Sequence, residues 1–226
     1  MFLSVLSVLV VKMKFITFLI LFTVFQNSLA QQSTLSKAVN HISEYIASEE
    51  FINLKNKSGD IAATDSIFVE AVNYTKGNIS DALLALMLAT VPYREVPIRM
   101  SILNSIINYP LTSANEETFL MKNENLPRYL FFDSPQNAYG DKDKLAHFFG
   151  SAFLSYESNI FDIGKLIGYF VEAFEESFKV QSSIDLRDLD VNYYGRMFGN
   201  LIQENKDLLP SQIFLLRSLR FFRVTL

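Results

Sequence analysis

The chain has 226 residues, of which 50% are hydrophobic and 14% aromatic, with 21 Phe, 10 Tyr and no Trp. This length allows one domain of ordinary size or two small ones, and the apolar content is sufficient for a hydrophobic core. The formal net charge is −4 and no block of basic residues occurs, so composition gives no support to nucleic-acid binding. The absence of cysteine excludes disulfides, thiolate metal sites, a cysteine nucleophile and a lipoprotein anchor.

Residues 1–30 are typical of a secretory signal peptide. Lys14 precedes an apolar run of about ten residues, and the segment ends in Ser28-Leu29-Ala30, a small-x-small cleavage pattern. Because residues 13–30 form a complete signal by themselves, we expect the true start to be Met13.

Cleavage near Ala30/Gln31 predicts a mature chain, 31–226, that is periplasmic or secreted, with 18 basic and 24 acidic residues and no integral membrane span. The alternative is an uncleaved anchor over 2–25. Lys12 and Lys14 interrupt that run, and charges in the middle of a membrane are unfavourable.

Hydrophobic spacing predicts a mainly α-helical fold with a small β-hairpin near 98–111. In the N-terminal region, 31–125, we expect four helices: 34–55, 66–76, 81–90, and a short one ending near Lys122. Residues 57–60 are predicted to form a turn and Asn104-Ser105 the hairpin turn. The predicted helix caps are Thr64-Asp65, Ser80 and a capping box at Ser113-Ala114-Asn115-Glu116.

Residues 126–140 are predicted to form a loop, which contains one extended piece at 129–132. It precedes a three-helix unit, 141–204, with helices over 142–157, 160–179 and 186–204. The tail, 205–226, is apolar and basic, with Ser211 as the cap of a last helix and arginines at 217, 220 and 223. We expect one compact unit rather than two independent domains.

Each helix of the three-helix unit carries a face of small and polar residues. In the first helix, Asp143 and His147 are four residues apart and therefore share a face, which Ser151 continues. Glycines within a helix commonly mark the close approach of a neighbouring helix. The polar faces of the second and third helices comprise Gly168, Glu172, Glu175 and Glu176, and Asp188, Asn192, Gly195 and Gly199.

These faces predict a buried cluster of Asp143, His147, Glu172, Glu175, Asp188 and Asn192. Buried carboxylates need partners, since an unpaired buried charge is strongly destabilising. The nearest candidates in the sequence are His147, Lys144, Arg187 and Arg196.

The same residues resemble the VanZ-like family and its YfiM-type periplasmic relatives. Residues 143–148, DKLAHF, match the D-K-x-x-H-F opening of that family, and Glu172-x-x-Glu175 resembles its second motif. Asp188-x-x-x-Asn192-x-x-Gly195-x-x-x-Gly199 matches its D-x-x-x-N-x-x-G-x-x-x-G ending. The resemblance covers about 141–200 and implies an envelope-associated helical protein of undefined biochemistry.

The chain departs from the family in two respects. Glu157, Asp162 and Lys165 interrupt the helices, which then lack the roughly 20 apolar residues of a membrane span. The lipobox cysteine of the lipoprotein relatives is also absent. A membrane-embedded function is therefore not carried over to this chain.

Three interpretations of the His147 cluster remain open. It is a structural network that fixes helix packing, or a divalent-metal site in which His147, Glu172 and Asp188 are the ligands. In the third, His147 is the general base of a hydrolase for an envelope lipid or glycan, oriented by Asp143 or Asp188 with Glu172 as partner. A non-enzymatic envelope protein that binds an amphiphile or a protein partner is a further possibility, in which the basic residues of the tail contact acidic lipids or the acidic domain of the same chain.

Overall fold

We describe a computed structural model over residues 33–100, 105–158 and 186–220; at 96–100, 105–107 and 158 only the backbone is described. Contacts divide the chain into two units, Met1–Thr34 and Leu35–Leu226, and the core and the candidate site belong to the second unit. The predicted signal peptide and the predicted helix 160–179, with Glu172, Glu175 and Glu176, lie outside the described residues.

The described part of the chain is mainly α-helical, which confirms the predicted fold class. It contains seven helices and one pair of strands, which run in this order: α1 (Thr34–Ala47), α2 (Glu49–Tyr74), α3 (Ile79–Thr90), β1 (Glu95–Met100), β2 (Ser105–Pro110), α4 (Glu116–Asn125), α5 (Lys144–Ser158), α6 (Leu186–Glu204) and α7 (Pro210–Leu219). None of the helices in these ranges combines the length and apolar character that crossing a bilayer requires.

The first two helices correct the predicted helix 34–55. Ser48 interrupts it, because its side chain accepts a hydrogen bond from Phe51 N and so caps α2. The predicted turn at 57–60 is a kink inside α2, where Gly59 adopts φ 82°. Thr64 does not cap a new helix; it is buried within α2 and donates to the Asp60 carbonyl.

Three other helix starts also differ from the prediction. The cap of α3 is Asn78 rather than Ser80, and the cap of α4 is Asn115 rather than Ser113. Helix α4 continues three residues past Lys122, to Asn125. Helix α7 begins at Pro210 after Leu209, not at a Ser211 cap.

The two strands pair antiparallel, with Glu95 opposite Pro110 and Met100 opposite Ser105. Ser105 therefore belongs to the second strand and not to the turn, and β1 begins three residues before the predicted position. Residues 126–140 form no helix or strand, in agreement with the predicted loop.

Helix α5 lies at the centre of the unit and contacts both α3 and α6. Phe148 packs against Phe198 of α6 and Phe214 of α7, with ring centroids 5.3 and 4.9 Å apart. Phe149 stacks on Phe68 of α2. Aromatic contacts of this kind add to the stabilisation from buried area, and they fix α5, which carries His147.

Candidate functional site

The site lies between the start of α5 and the start of α6. Asp143 immediately precedes α5, and Lys144, His147 and Ser151 follow on the first two turns of that helix. Asp188 and Asn192 lie on the first two turns of α6, and all six side chains are buried or half-buried. We call Asp143, Lys144, His147, Asp188 and Asn192 the His–acid site.

Two glycines of α6 allow these side chains to meet. A Cβ on Gly195 would overlap the Phe148 carbonyl oxygen, and a Cβ on Gly199 would overlap that of Ala152. Only glycine fits such a close approach of helix backbones. Both glycines were predicted to have this role from their four-residue spacing.

His147 is 6% exposed, and each of its two ring nitrogens faces a side chain of α6. Its Nδ1 lies 3.3 Å from Asn192 Oδ1, which also accepts a 2.9 Å hydrogen bond from the Ser151 hydroxyl. An amide oxygen only accepts, so Nδ1 carries the proton of the neutral ring. Nε2 then faces α6 and lies 3.7 Å from Asp188 Oδ1.

The electrostatics keep the histidine neutral. Burial lowers the pKa of His147 below its ordinary value of 6.5, and the nearby carboxylates of Asp188 and Asp143 oppose this shift without cancelling it. The imidazole is therefore in its neutral form at pH 7. Among these groups, two carboxylates and one ammonium leave the His–acid site with one net negative charge.

Lys144 supplies that ammonium. Its Nζ lies 2.5 Å from Asp188 Oδ1 and 3.0 Å from Asp143 Oδ2. Burial disfavours the charged amine, but Asp143 and Asp188 outweigh burial and raise the pKa of Lys144. The other oxygen of Asp143, Oδ1, is buried and accepts no hydrogen bond from the residues that the structure describes.

Eight of the ten residues predicted for the site are thus brought together: Asp143, Lys144, His147, Ser151, Asp188, Asn192, Gly195 and Gly199. Glu172 and Glu175 lie outside the described residues. Among the described residues, the predicted partner Arg187 binds Asp141 at 2.6 Å and Asp133 at 3.3 Å, and the predicted partner Arg196 is exposed.

Two tyrosines lie beside the site, and no pattern in the sequence predicted that they would. Burial raises the pKa of Tyr93, and Tyr139, Asp143 and Asp188 raise it further. Burial also raises the pKa of Tyr139, to about 12, again with contributions from Asp143 and Asp188. Tyr93 comes from the segment after α3 and Tyr139 from the loop 126–140, so only the tertiary fold brings them near these carboxylates.

A second charged network joins the loop 126–140 to α6 and α7. Arg217 is 1% exposed and binds Asp133 through both terminal nitrogens, at 2.6 and 3.0 Å. Its Nε binds Asp190 at 2.7 Å, and the exposed Arg220 binds the same carboxylate at 2.9 Å. Two tail arginines therefore meet acidic residues of their own chain rather than only solvent.

The resemblance to the VanZ-like family remains a prediction, because its second motif, at Glu172 and Glu175, falls outside the described residues. Comparisons with protein-family models, with curated proteins and with solved structures found no match, so the chemistry of the site itself has to indicate the function.

Proposed function

We propose that this chain is an extracytoplasmic, cell-envelope-associated protein whose His–acid site binds a cation, with a divalent transition metal as the ligand. The signal-like N-terminus and the family resemblance support the location. The residues of the site support the ligand.

One observation carries the proposal. Asp143, His147 and Asp188 each offer one ligand atom, and these three atoms all lie within 4.8 Å of one another. One imidazole and two carboxylates form a ligand set that suits zinc, manganese or iron rather than a metal that prefers thiolates. Both the net negative charge of these described groups and Asp143 Oδ1, which accepts no hydrogen bond from the described residues, favour the binding of a cation.

The surroundings of His147 fit a metal ligand as well. A ligating histidine usually donates its second ring N–H to an oxygen, which fixes the ring and its tautomer. Asn192 Oδ1 takes that position, and the Ser151 hydroxyl holds the amide in place. Nε2 is thereby directed toward Asp188 as the coordinating atom.

Accessibility distinguishes an ion from a larger ligand. The side chains of Asp143 and Asp188 are 19% and 14% exposed, whereas His147 is 6% exposed. The imidazole is thus the most buried of the three groups, and these exposures suit a small ion better than a lipid or glycan, whose scissile bond would have to reach the imidazole. The geometry therefore favours cation binding over hydrolysis of an envelope substrate.

Hydrolysis is a second candidate, and it depends on a different observation. The neutral, oriented imidazole of His147 has the properties of a general base near pH 7. Ser151 donates to Asn192 rather than to His147, so the nucleophile in this case would be a water molecule. Lys144 would then stabilise the negative charge that develops on the substrate.

The test is metal binding by the purified chain. After dialysis against zinc or manganese, we expect the wild type to retain close to one metal ion per chain. His147→Gln and Asp188→Asn each remove a ligand and should weaken binding at least about tenfold, which corresponds to about 1.4 kcal/mol. His41→Gln is the matched control, because His41, the other histidine in the sequence, pairs with Glu70 between α1 and α2.

Wild-type protein that takes up neither metal would contradict the proposal. In that case the variants separate the alternatives. A large fall in the melting temperature of His147→Gln would indicate a structural network. An unchanged melting temperature together with lost hydrolysis of nitrophenyl ester substrates would indicate the general base.

A further inference from the structure

The ammonium of Lys144 lies where a bound cation would also lie. Its ammonium contacts Asp188 Oδ1 at 2.5 Å and Asp143 Oδ2 at 3.0 Å, and the residue is 4% exposed. These two carboxylates are also two of the three groups that converge as possible metal ligands. The site therefore already contains a positive charge, which is the ammonium of the first residue of α5.

We propose that Lys144 is a built-in counter-ion that competes with the metal for Asp143 and Asp188 and so sets the affinity of the site. This inference depends on the proposed function, because it concerns the same ligands. A metal ion on Asp188 and an ammonium at hydrogen-bond distance from the same carboxylate repel each other strongly in a partly buried site. Binding of the metal requires the ammonium to leave at least one of the two carboxylates.

The properties of lysine fit this role better than those of arginine. The ammonium is a compact charge on a flexible four-carbon stem, so it can withdraw without movement of the helix backbone. In the metal-free protein it neutralises one of the two carboxylates and so limits their repulsion. The expected outcome is a site that selects cations of high charge density, since only these displace an ammonium from a carboxylate.

The first experiment compares zinc affinities of full-length variants by competition with a chromophoric chelator. Lys144→Met and Lys144→Gln remove the competing charge and should bind zinc about tenfold more tightly than the wild type, or tighter still. Lys144→Arg retains the charge and should not gain affinity. Lys142→Met is the matched control, because Lys142 belongs to the same Asp-Lys-Asp-Lys run but not to the His–acid site.

The second experiment uses the wild type alone and does not depend on the folding of any variant. Selective ¹⁵N labelling of lysine makes the side-chain ammonium of a buried, ion-paired lysine observable by NMR, and Lys144→Arg assigns the signal. Saturating zinc should shift this signal or abolish it by exposure to solvent. A Lys144 signal that stays unchanged at zinc saturation would overturn the inference.

The outcomes separate the two proposals. If the wild type binds zinc and Lys144→Met binds it with equal affinity, the competition is refuted while the metal site stands. If only the variants without the charge at 144 bind zinc, the competition is upheld and the metal-binding function of the natural chain is refuted. If no variant binds zinc, both proposals are wrong.

Discussion

Two buried lysines of the described chain differ in pKa, because their surroundings stabilise the charged ammonium to different extents. Lys144 is 4% exposed and lies between two carboxylates, which raise its pKa. Lys122 of α4 is 1% exposed, and burial lowers its pKa to about 7. Its ammonium has the Val91 carbonyl at 2.6 Å and the Phe119 ring at 4.6 Å, but these neutral groups compensate burial less than carboxylates do.

Lys122 makes folding stability depend on pH. Its pKa is about 7 in the folded chain and 10.5 ordinarily, so between these values the unfolded chain binds a proton that the folded chain does not. Stability therefore rises as the pH increases through this range. Relative to Lys122→Met, the free energy of unfolding of the wild type should increase by about 1.4 kcal/mol per pH unit between pH 7 and 9, measured by urea unfolding.

Lys37→Met controls for the loss of a lysine, because Lys37 is exposed on α1. The difference in the free energy of unfolding between this variant and the wild type should not change with pH. If Lys122→Met also shows a constant difference from the wild type, then the Val91 carbonyl and the Phe119 ring keep Lys122 charged, and the expected shift of its pKa is wrong.

At the scale of elements, the contact between α5 and α6 sets the geometry of the site. The five residues of the His–acid site lie on the first two turns of these helices, apart from Asp143, which immediately precedes α5, and the helix pair continues beyond the site. Further along the pair, Ser155 donates to Asn200 at 2.5 Å and Gln203 to the Tyr156 carbonyl at 2.9 Å. The site is thus one end of a long helix–helix interface.

Gly199→Ala tests this interface with a single methyl group. Elsewhere in a helix the change from glycine to alanine stabilises by about 1 kcal/mol, through helix propensity. Here the new Cβ would overlap the Ala152 carbonyl oxygen, and a backbone atom cannot move aside without shifting α5. We expect a net loss of about 2 kcal/mol in the free energy of unfolding, within the usual range for overpacking.

Gly150→Ala is the control for that prediction. A Cβ at Gly150 would lie 3.0 Å from Met87 Sδ, the flexible end of a side chain that can rotate away. The free energy of unfolding of this variant should remain within about 1 kcal/mol of the wild-type value. Equal stability of Gly199→Ala and Gly150→Ala would contradict the close packing of α5 on α6.

The sequence predicts the part of the site that depends on helical spacing. Asp143 and His147 lie four residues apart, and Gly195 and Gly199 repeat at the same interval, so the shared faces follow from a periodicity of 3.6 residues. The choice of cap is less determined, because Asn78 and Ser80 stand close together and Asn115 follows Ser113. Each of these residues is a good cap, and tertiary packing selects one of them.

Contacts between distant segments leave no local pattern. Asp65 was predicted to help cap its own helix, yet it accepts a 2.9 Å hydrogen bond from Ser211 N and so caps α7. Asp141 repeats the Asp-Lys pattern of Asp143, but it is fully buried and binds Ser134, Arg187 and the backbone of Leu130. Two identical dipeptides thus have different partners, because Leu130 and Ser134 of the loop 126–140 donate hydrogen bonds to Asp141, whereas Asp143 pairs with Lys144.

At the scale of the whole unit, salt bridges hold the loop 126–140 in place. Arg187 and Arg217 converge on Asp133 of this loop, and Arg217 lies 4.2 Å above the Phe131 ring. Hydrogen bonds from Arg217 lower the pKa of Asp133 below 3.8, although burial acts in the opposite direction. This stabilisation is fully present above the ordinary pKa and is lost as the pH falls through the lowered value, so it operates throughout the neutral range.

Arg217→Met should therefore destabilise the unit strongly at pH 7. The variant retains most of the apolar contact with Phe131 but leaves Asp133 and Asp190 without their shared partner. Removal of one member of a buried ion pair commonly destabilises by about 3–5 kcal/mol. Because the side chains of Asp133 and Asp190 are 31% and 26% exposed and can regain water, we expect about 2–3 kcal/mol by urea unfolding.

Two further variants show whether the loss comes from the ion pairs. Arg220→Met removes an exposed arginine from the same Asp190 and should leave the unfolding midpoint nearly unchanged. In the Arg217→Met/Asp133→Asn double variant, the partner charge is also gone, so the double variant should be more stable than the sum of the two single changes predicts. Strict additivity would mean that the ion pair between Arg217 and Asp133 does not stabilise the unit, and the contribution of Arg217 would then come from Asp190 and from packing on Phe131.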